Sequence, residues 1–294
     1  MTPPTGTMTI DSKRGAPVTA APAATVASNN DDINCSDVTF KTIAFNAKGF
    51  KQSHVYISKI LSSCDIIAIS ETWLRPGELP IINEILGQDK DICVIAKSSM
   101  CDVDPGYSGR PFGGLAMVAV RQPGLTYEEL VIDNDRIIAM KVCHGNAVLQ
   151  IVISVYMPFY SGDRNHTEQY VETLDMLQTV IDTYGAVCPF YIIGDFNVQL
   201  PNTRILNDTW YKRSGYNKHS RIVYDFICDN NMSALDLNCE QTMKYTYFCH
   251  TSSKYTWIDH CLGMTHDESV ISCKILSHDP DNTVTMCRYV WKLN

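Results

Sequence analysis

The sequence has no Cys-x-x-Cys pair and no cysteine/histidine set at zinc-ligand spacing, so its 12 cysteines, scattered from Cys35 to Cys287, do not read as a metal framework. It shows no basic leader followed by an apolar run, which points away from secretion and from the oxidising setting in which cysteines pair. No stretch approaches the ~20 consecutive apolar residues that span a bilayer. The expectation is a soluble intracellular protein of the nucleus or cytoplasm, with no membrane partner and with reduced cysteines filling small core positions. The sequons at Asn165, Asn207 and Asn231 then read as chance matches to a loose pattern. Positive charge is also scarce. With 24 Lys and Arg against 32 Asp and Glu, the formal net charge is −8, so any grip on nucleic-acid phosphates has to come from a local patch.

What remains is ample for a core, because 45% of the 294 residues are hydrophobic. Residues 1–36 are rich in Thr, Pro, Ala, Ser, Asn and Asp with little periodic apolar content, and are expected to be a disordered tail, leaving 37–294 as one domain. Short apolar runs at 38–45, 65–70, 92–96, 115–120, 137–143, 148–156 and 190–193 predict strands. Helical periodicity marks 53–63, 168–184 and 220–230, the second with Tyr170, Leu174, Leu177 and Ile181 on one face. Gly145 and Asn146 between two runs predict a hairpin. Many strands and few helices imply an α+β protein whose antiparallel-rich sheets are covered by helices.

Acidic and amide residues stand at the ends of several of these runs, where a scaffold can present them together. Asn46 ends one run, Glu71 ends another, and Asp195 and Asn197 follow a third. Singly each has a modest explanation: Asn46 suits a turn before Gly49, and Glu71 suits a cap for a helix starting near Thr72. As an ordered set, Phe45-Asn46-Ala47-Lys48-Gly49, Ser70-Glu71-Thr72-Trp73-Leu74, Val155-Tyr156-Met157-Pro158, Gly194-Asp195-Phe196-Asn197 and Trp257-Ile258-Asp259-His260 strongly resemble the motifs of the endonuclease/exonuclease/phosphatase superfamily. Arg110-Pro111-Phe112-Gly113-Gly114-Leu115-Ala116 and the Trp257–His260 element look like its branch of LINE-type, non-LTR retrotransposon endonucleases.

That resemblance implies a deoxyribonuclease-like four-layer α/β/β/α sandwich of two mixed, largely antiparallel sheets, with the active site at one end between them. It implies Mg²⁺, or Mn²⁺ in its place, held by Glu71 and Asn46 with Asp281 near by, since hard cations take oxygen ligands. Asp195 would accept a proton from the attacking water, Asn197 would orient water or phosphate, and Tyr156 would donate to a phosphate oxygen. Packing against Pro158 is an alternative role for Tyr156. Asp259 would orient a histidine at the phosphate, and there the chain departs from the pattern. Where the family has Ser-Asp-His before a final strand, this sequence runs Ser277-His278-Asp279-Pro280-Asp281-Asn282-Thr283-Val284. Phasing against a final strand over 283–289 puts Asp281 and Asn282 in the pair's place, and Asn282 cannot carry a positive charge. In a rearranged loop His278 with Asp279 takes the role instead. His260, one residue after Asp259, would face away from it on a strand and reads as structural. His166 reads as catalytic or as a solvent-exposed residue near a helix start.

The partner that the branch-like motifs imply is DNA. The stretch 211–221, with Lys212 and Arg213, concentrates basic and aromatic residues and suits a DNA-contact loop or a solvated helix lead-in, and Arg110 and Lys97 are candidates to extend the patch. Three functions stay open: a DNA-nicking endonuclease, a catalytically silent nucleic-acid-binding remnant, and a phosphatase or phosphodiesterase for a small molecule.

Overall fold

The structure is a computed structural model that describes residues 40–101, 103, 106–186, 188–201, 215–238, 245–249, 253–265, 270–275 and 289–293. The expected tail lies outside them. The first sheet is ordered β13-β14-β1-β2-β4-β3, from β1 (Phe40–Asn46), β2 (Ile66–Ser70), β3 (Ile92–Lys97), β4 (Leu115–Val120), β13 (Val270–Ile275) and β14 (Tyr289–Leu293). The second is ordered β5-β6-β7-β8-β12-β9, from β5 (Leu125–Leu130), β6 (Ile137–His144), β7 (Ala147–Tyr156), β8 (Phe190–Asp195), β9 (Met232–Ala234) and β12 (Asp259–Met264). Within each sheet one neighbouring pair is parallel, β1 with β2 and β7 with β8, and the other pairs are antiparallel. A separate ribbon pairs β10 (Tyr247–Cys249) with β11 (Lys254–Thr256).

Period-two alternation sorts the apolar side chains into three cores. Ile66 and Ala68 of β2 face the second sheet and meet Ile138, Met140, Val152 and Ile193. Ile67 and Ile69 face outward, where α1 (Phe50–Leu61) and α2 (Pro80–Leu86) cover them with Phe50, Ile57, Ile60, Ile82 and Leu86. Across the molecule, Ile151, Ile153 and Val155 of β7 face α3 (Arg164–Tyr184) and α4 (Lys218–Asp229) through Tyr170, Leu174, Leu177 and Val223. Three cores between four layers make the α/β/β/α sandwich, as expected. Strands buried on both faces also explain why most appear in the sequence as unbroken apolar runs.

The Gly145-Asn146 turn joins β6 to β7, with His144 opposite Ala147 and Gly145 at φ 55°. The third helix starts earlier than its apolar period, at Arg164, because the Asp163 side chain caps it by accepting from Asn165 N at 3.0 Å. No helix starts at Thr72, so Glu71 does not cap one; α2 is short and opens on Pro80. A strand is found at Tyr289–Leu293, while 283–288 of the expected final strand lie outside the described residues; the Tyr289 end lies beside Ala44, toward the end of β1 that carries Asn46. Cys64, Cys143 and Cys188 are buried in the cores, and no disulfide forms among the described residues. None of the described helices is long and apolar enough to cross a membrane.

Candidate active site

One end of the gap between the sheets collects the polar residues. In β7, β8 and β12 the residues that face the gap are those in phase with Val152, Ile193 and Cys261, which puts Tyr156, Asp195 and Asp259 on the inner face. Register makes them lateral neighbours: Tyr156 lies opposite Asp195, and Asp195 opposite Asp259. From the first sheet Asn46, in phase with Ala44, projects into the same space.

Simple alternation would send Glu71 the other way, with Ile67 and Ile69. Its left-handed backbone, φ 52°, breaks the alternation and brings its carboxylate back to Asn46. Of the non-glycine residues with positive φ among the described residues, Lys48, Trp73 and Asn197 also lie in these motifs while Asn231 and Ser253 lie elsewhere, so most of the unusual backbone gathers at this cluster, as at sites where geometry outranks local comfort.

Asn46 ties the two sheets together. Its Nδ2 donates to Glu71 Oε1 at 2.8 Å and to Asp195 Oδ2 at 3.2 Å, while its Oδ1 accepts from Lys48 N at 3.2 Å. The oxygen expected to ligate a cation is thus turned to the backbone, and the amide nitrogen faces the carboxylates. Asp195 Oδ1 accepts from Asn197 N at 2.9 Å, and Asn197 Nδ2 donates to the Met157 carbonyl at 2.8 Å, locking the turn after β8 to the turn after β7.

Crowding of like charge in a buried place sets the protonation of the group. Burial, then the neighbouring Asp259 and Glu71, hold Asp195 well above the usual carboxylate range, against hydrogen bonds from Asn197 and Asn46. Burial pushes Asp259 up to about 7, opposed by a hydrogen bond from Thr246 and assisted by Glu71. Burial, then Glu71 and Asp195, raise the Tyr156 phenol, which stays protonated and able to donate.

His260 points to the opposite face, as expected. Its Nδ1 lies 3.0 Å from Asp236 Oδ2 and its Nε2 3.0 Å from the Val198 carbonyl. Asp236 in turn accepts from Trp257 Nε1 at 2.7 Å and from Cys261 N at 2.8 Å, so this buried network fixes the strand that carries Asp259. Thr246 adds to it, its hydroxyl accepting from Ile258 N and Asp259 N. Sequence reasoning missed Asp236 and Thr246, which reach the strand from the segments just before it and stand in none of the motifs. Lys48 was also missed as a site residue, although it sits inside the first motif and offsets the charge of Asp259.

Arg110 is exposed and stacks on the Trp73 ring at 3.6 Å, two residues from Glu71. With Lys51, Arg75 and Glu78 it lines a cavity of about 300 Å³ that reaches Thr72 and Trp73, the two residues after Glu71. Lys97 does not extend this patch: its ammonium is half-buried and donates to the carbonyls of Ile132 and Asn134. His166 is half-buried, edge-on to Phe159 at 4.7 Å. The second half of the basic stretch forms a helix start, with Asn217 and Ser220 in a reciprocal cap, Arg221 paired to Asp225, and His219 buried against Tyr170 and held down to about 4 by burial. Lys212, Arg213, His278, Asp279, Asp281 and Asn282 lie outside the described residues, and so does the place where the expected Asp-His pair would sit.

No protein-family model matches the sequence, and no curated protein does. Solved structures match the fold at low identity. The AP endonuclease LMAP from Leishmania major superposes with a TM-score of 0.67 at 12% identity, over 87% of this chain and 88% of that one. The 3′ phosphatase NExo from Neisseria, solved bound to a product DNA hairpin, gives 0.61 at 14% identity over 87% and 99%. The endonuclease domain of TRAS1, a telomere-specific non-LTR retrotransposon, gives 0.56 at 10% identity over 87% and 98%. The four-layer sandwich of this chain is the fold that these solved structures share.

Proposed function

We propose that the chain is a divalent-metal-dependent phosphodiesterase that nicks DNA in the manner of a retrotransposon endonuclease. The observation that carries this reading is the row Tyr156, Asp195, Asp259 on one sheet facing Asn46 and Glu71 on the other, with Asn46 bridging Glu71 and Asp195. Three acidic side chains in so small a space repel one another, and a hard cation is the partner that such a donor set suits. Among the described residues no three acidic, histidine or cysteine side chains are grouped to hold a metal ion, so the ligand set would rest on one carboxylate, an amide oxygen and water. Glu71 and, after rotation of its amide, Asn46 would hold Mg²⁺ or Mn²⁺, with Asp281 a further candidate. Bound there, the ion would supply Lewis-acid polarisation of the phosphate.

The protein's own groups divide the remaining work. Asp195 takes the proton of the attacking water, its Oδ1 fixed by Asn197 N and its Oδ2 by Asn46. Tyr156, kept protonated, donates to a non-bridging phosphate oxygen. Asp259 positions whichever of His278 or Asn282 completes the site. DNA is the substrate that the Arg110, Lys51 and Arg75 patch favours, and the structural relatives include one solved with a DNA hairpin.

One sequence observation favours a second reading, a silent binding module: Asn282 in the histidine's place would forfeit a charge worth about 3–4 kcal/mol, by analogy with a lost oxyanion donor. The test is conversion of supercoiled plasmid to nicked circle with Mg²⁺ by the unmodified chain and by Asp195→Ala, Glu71→Ala and Asn282→His. Nicking that disappears in the first two variants supports the endonuclease. Activity gained only in Asn282→His identifies the silent module, and hydrolysis of inositol phosphates without nicking moves the reading to a small-molecule phosphatase.

A further inference from the structure

A second cavity, of about 310 Å³, opens beside Tyr156 and is assigned no part in the chemistry above. It is lined by Phe112, on the loop entering β4, by Phe159 and Tyr156 from the end of β7, by Arg136 from the start of β6, and by His166 of α3. Both phenylalanines are exposed, at 47% and 58%. Each is braced edge-on by another ring, Phe112 by Tyr107 at 6.4 Å and Phe159 by His166 at 4.7 Å.

The loop that carries Phe112 is anchored to the catalytic edge. Gly113 and Gly114 accept from Trp73 N at 3.0 Å and Thr72 N at 3.2 Å, immediately after Glu71. Both glycines have positive φ, and a Cβ on Gly113 would meet Ser99 Oγ at 2.6 Å, so close seating of this loop requires them. Arg136 lines the cavity with its guanidinium, one N–H reaching the Tyr156 carbonyl at 3.4 Å. A planar apolar group between braced rings, with a cation alongside and a phosphate-binding tyrosine at the edge, matches one nucleotide in size and in chemistry.

We infer that this cavity receives an unpaired nucleotide of the DNA strand, the one adjoining the phosphate that Tyr156 contacts, with its base on Phe112 and Phe159 and its backbone oxygens toward Arg136. The inference rests on the phosphodiesterase reading for the position of that phosphate. A base inside a closed duplex has both faces covered and cannot enter, so the cavity selects strands that are single, frayed or locally opened.

The experiment is anisotropy of a short fluorescein-labelled single strand and of a closed duplex hairpin, in chelator so that nothing is cleaved. Unmodified protein, Asp195→Ala, Phe159→Trp and the double variant Phe112→Ala/Phe159→Ala are compared. Expected is single-strand binding weakened about tenfold or more in the double variant, with duplex binding unchanged and with Phe159→Trp binding as the unmodified chain does. Equal single-strand affinity in the double variant overturns the assignment, as does an equal loss for duplex and single strand. Failure of the two readings is separable. Asp195-dependent nicking with aromatic-independent binding removes only the nucleotide cavity, whereas aromatic-dependent binding without nicking by any variant removes only the catalytic reading.

Discussion

Asp195 and Asp259 occupy adjacent positions on neighbouring strands, both buried, with Glu71 across the gap. Both titrate above their ordinary range, and the sign of the consequence is fixed by linkage. A carboxyl whose folded pKa lies above its unfolded value holds its proton more tightly when folded, so the metal-free protein loses stability as pH rises from about 4 to about 7, the window set by Asp259. Asp259→Asn removes that charge and keeps most of the shape. It is expected to stabilise the metal-free protein at pH 7.5 by about 1–3 kcal/mol, with the gain gone at pH 4, while impairing nicking. Thermal melts in chelator at the two pH values check this, and a lower Tm for the variant at pH 7.5 would contradict it. His219 acts in the opposite sense, since a histidine held at about 4 costs stability as pH falls below its ordinary value, but it is common to both proteins and cancels from the comparison. The members of this cluster were legible in the sequence because motif order names them. The direction of the Asn46 amide and the support from Thr246 and Asp236 were not, because those depend on which atoms meet across elements distant in the chain.

At the scale of elements, the site depends on how closely β7 and β8 approach. Gly194 lies opposite Val155 one residue before the Tyr156 and Asp195 pair, with φ 136°, and a Cβ there would meet Val155 N at 3.1 Å and Val155 C at 3.2 Å. Backbone cannot step aside as a side-chain tip can. Gly194→Ala is therefore expected to lower stability by about 3 kcal/mol, a Tm drop of roughly 5–10 °C, and to reduce nicking further by prising Tyr156 from Asp195. Gly145→Ala, at φ 55° in a turn with nothing within 4 Å of the added carbon, is the control and should cost only about 1 kcal/mol. Comparable losses for the two variants in calorimetry would show that backbone conformation, and not the close approach, sets the cost. The same strands explain what the sequence could disclose. Strands of mostly apolar residues leave apolar runs, and seven of them, the edge strand β3 included, were found to within two residues. The edge strand β5, with Glu128 and Glu129 exposed, and the three-residue β9, β10 and β11 leave no such run, and neither does β12, which begins with Asp259 and His260.

For the whole molecule the net charge of −8 is the dominant long-range term, and it opposes approach of a polyanion. The described cations that line the two cavities or flank the site motifs are a small set, with Lys48 and Arg110 over aromatic rings, Lys51 paired to Glu78 at 2.6 Å, and Arg75 and Arg136 lining the two cavities. So small a set neutralises few phosphates, so the salt dependence of DNA binding should be shallow, with a log–log slope of about −3 to −4. Removing one phosphate contact changes that slope by about one, which separates Arg110 as a backbone contact from Arg110 as mere packing on Trp73. Arg110→Ala is expected to weaken duplex binding at low salt and to bring the slope nearer to −2 or −3. If affinity falls in Arg110→Ala while the slope stays put, the guanidinium serves to hold Trp73 and the loop beside it, and the phosphate track must run through cations elsewhere on this acidic surface.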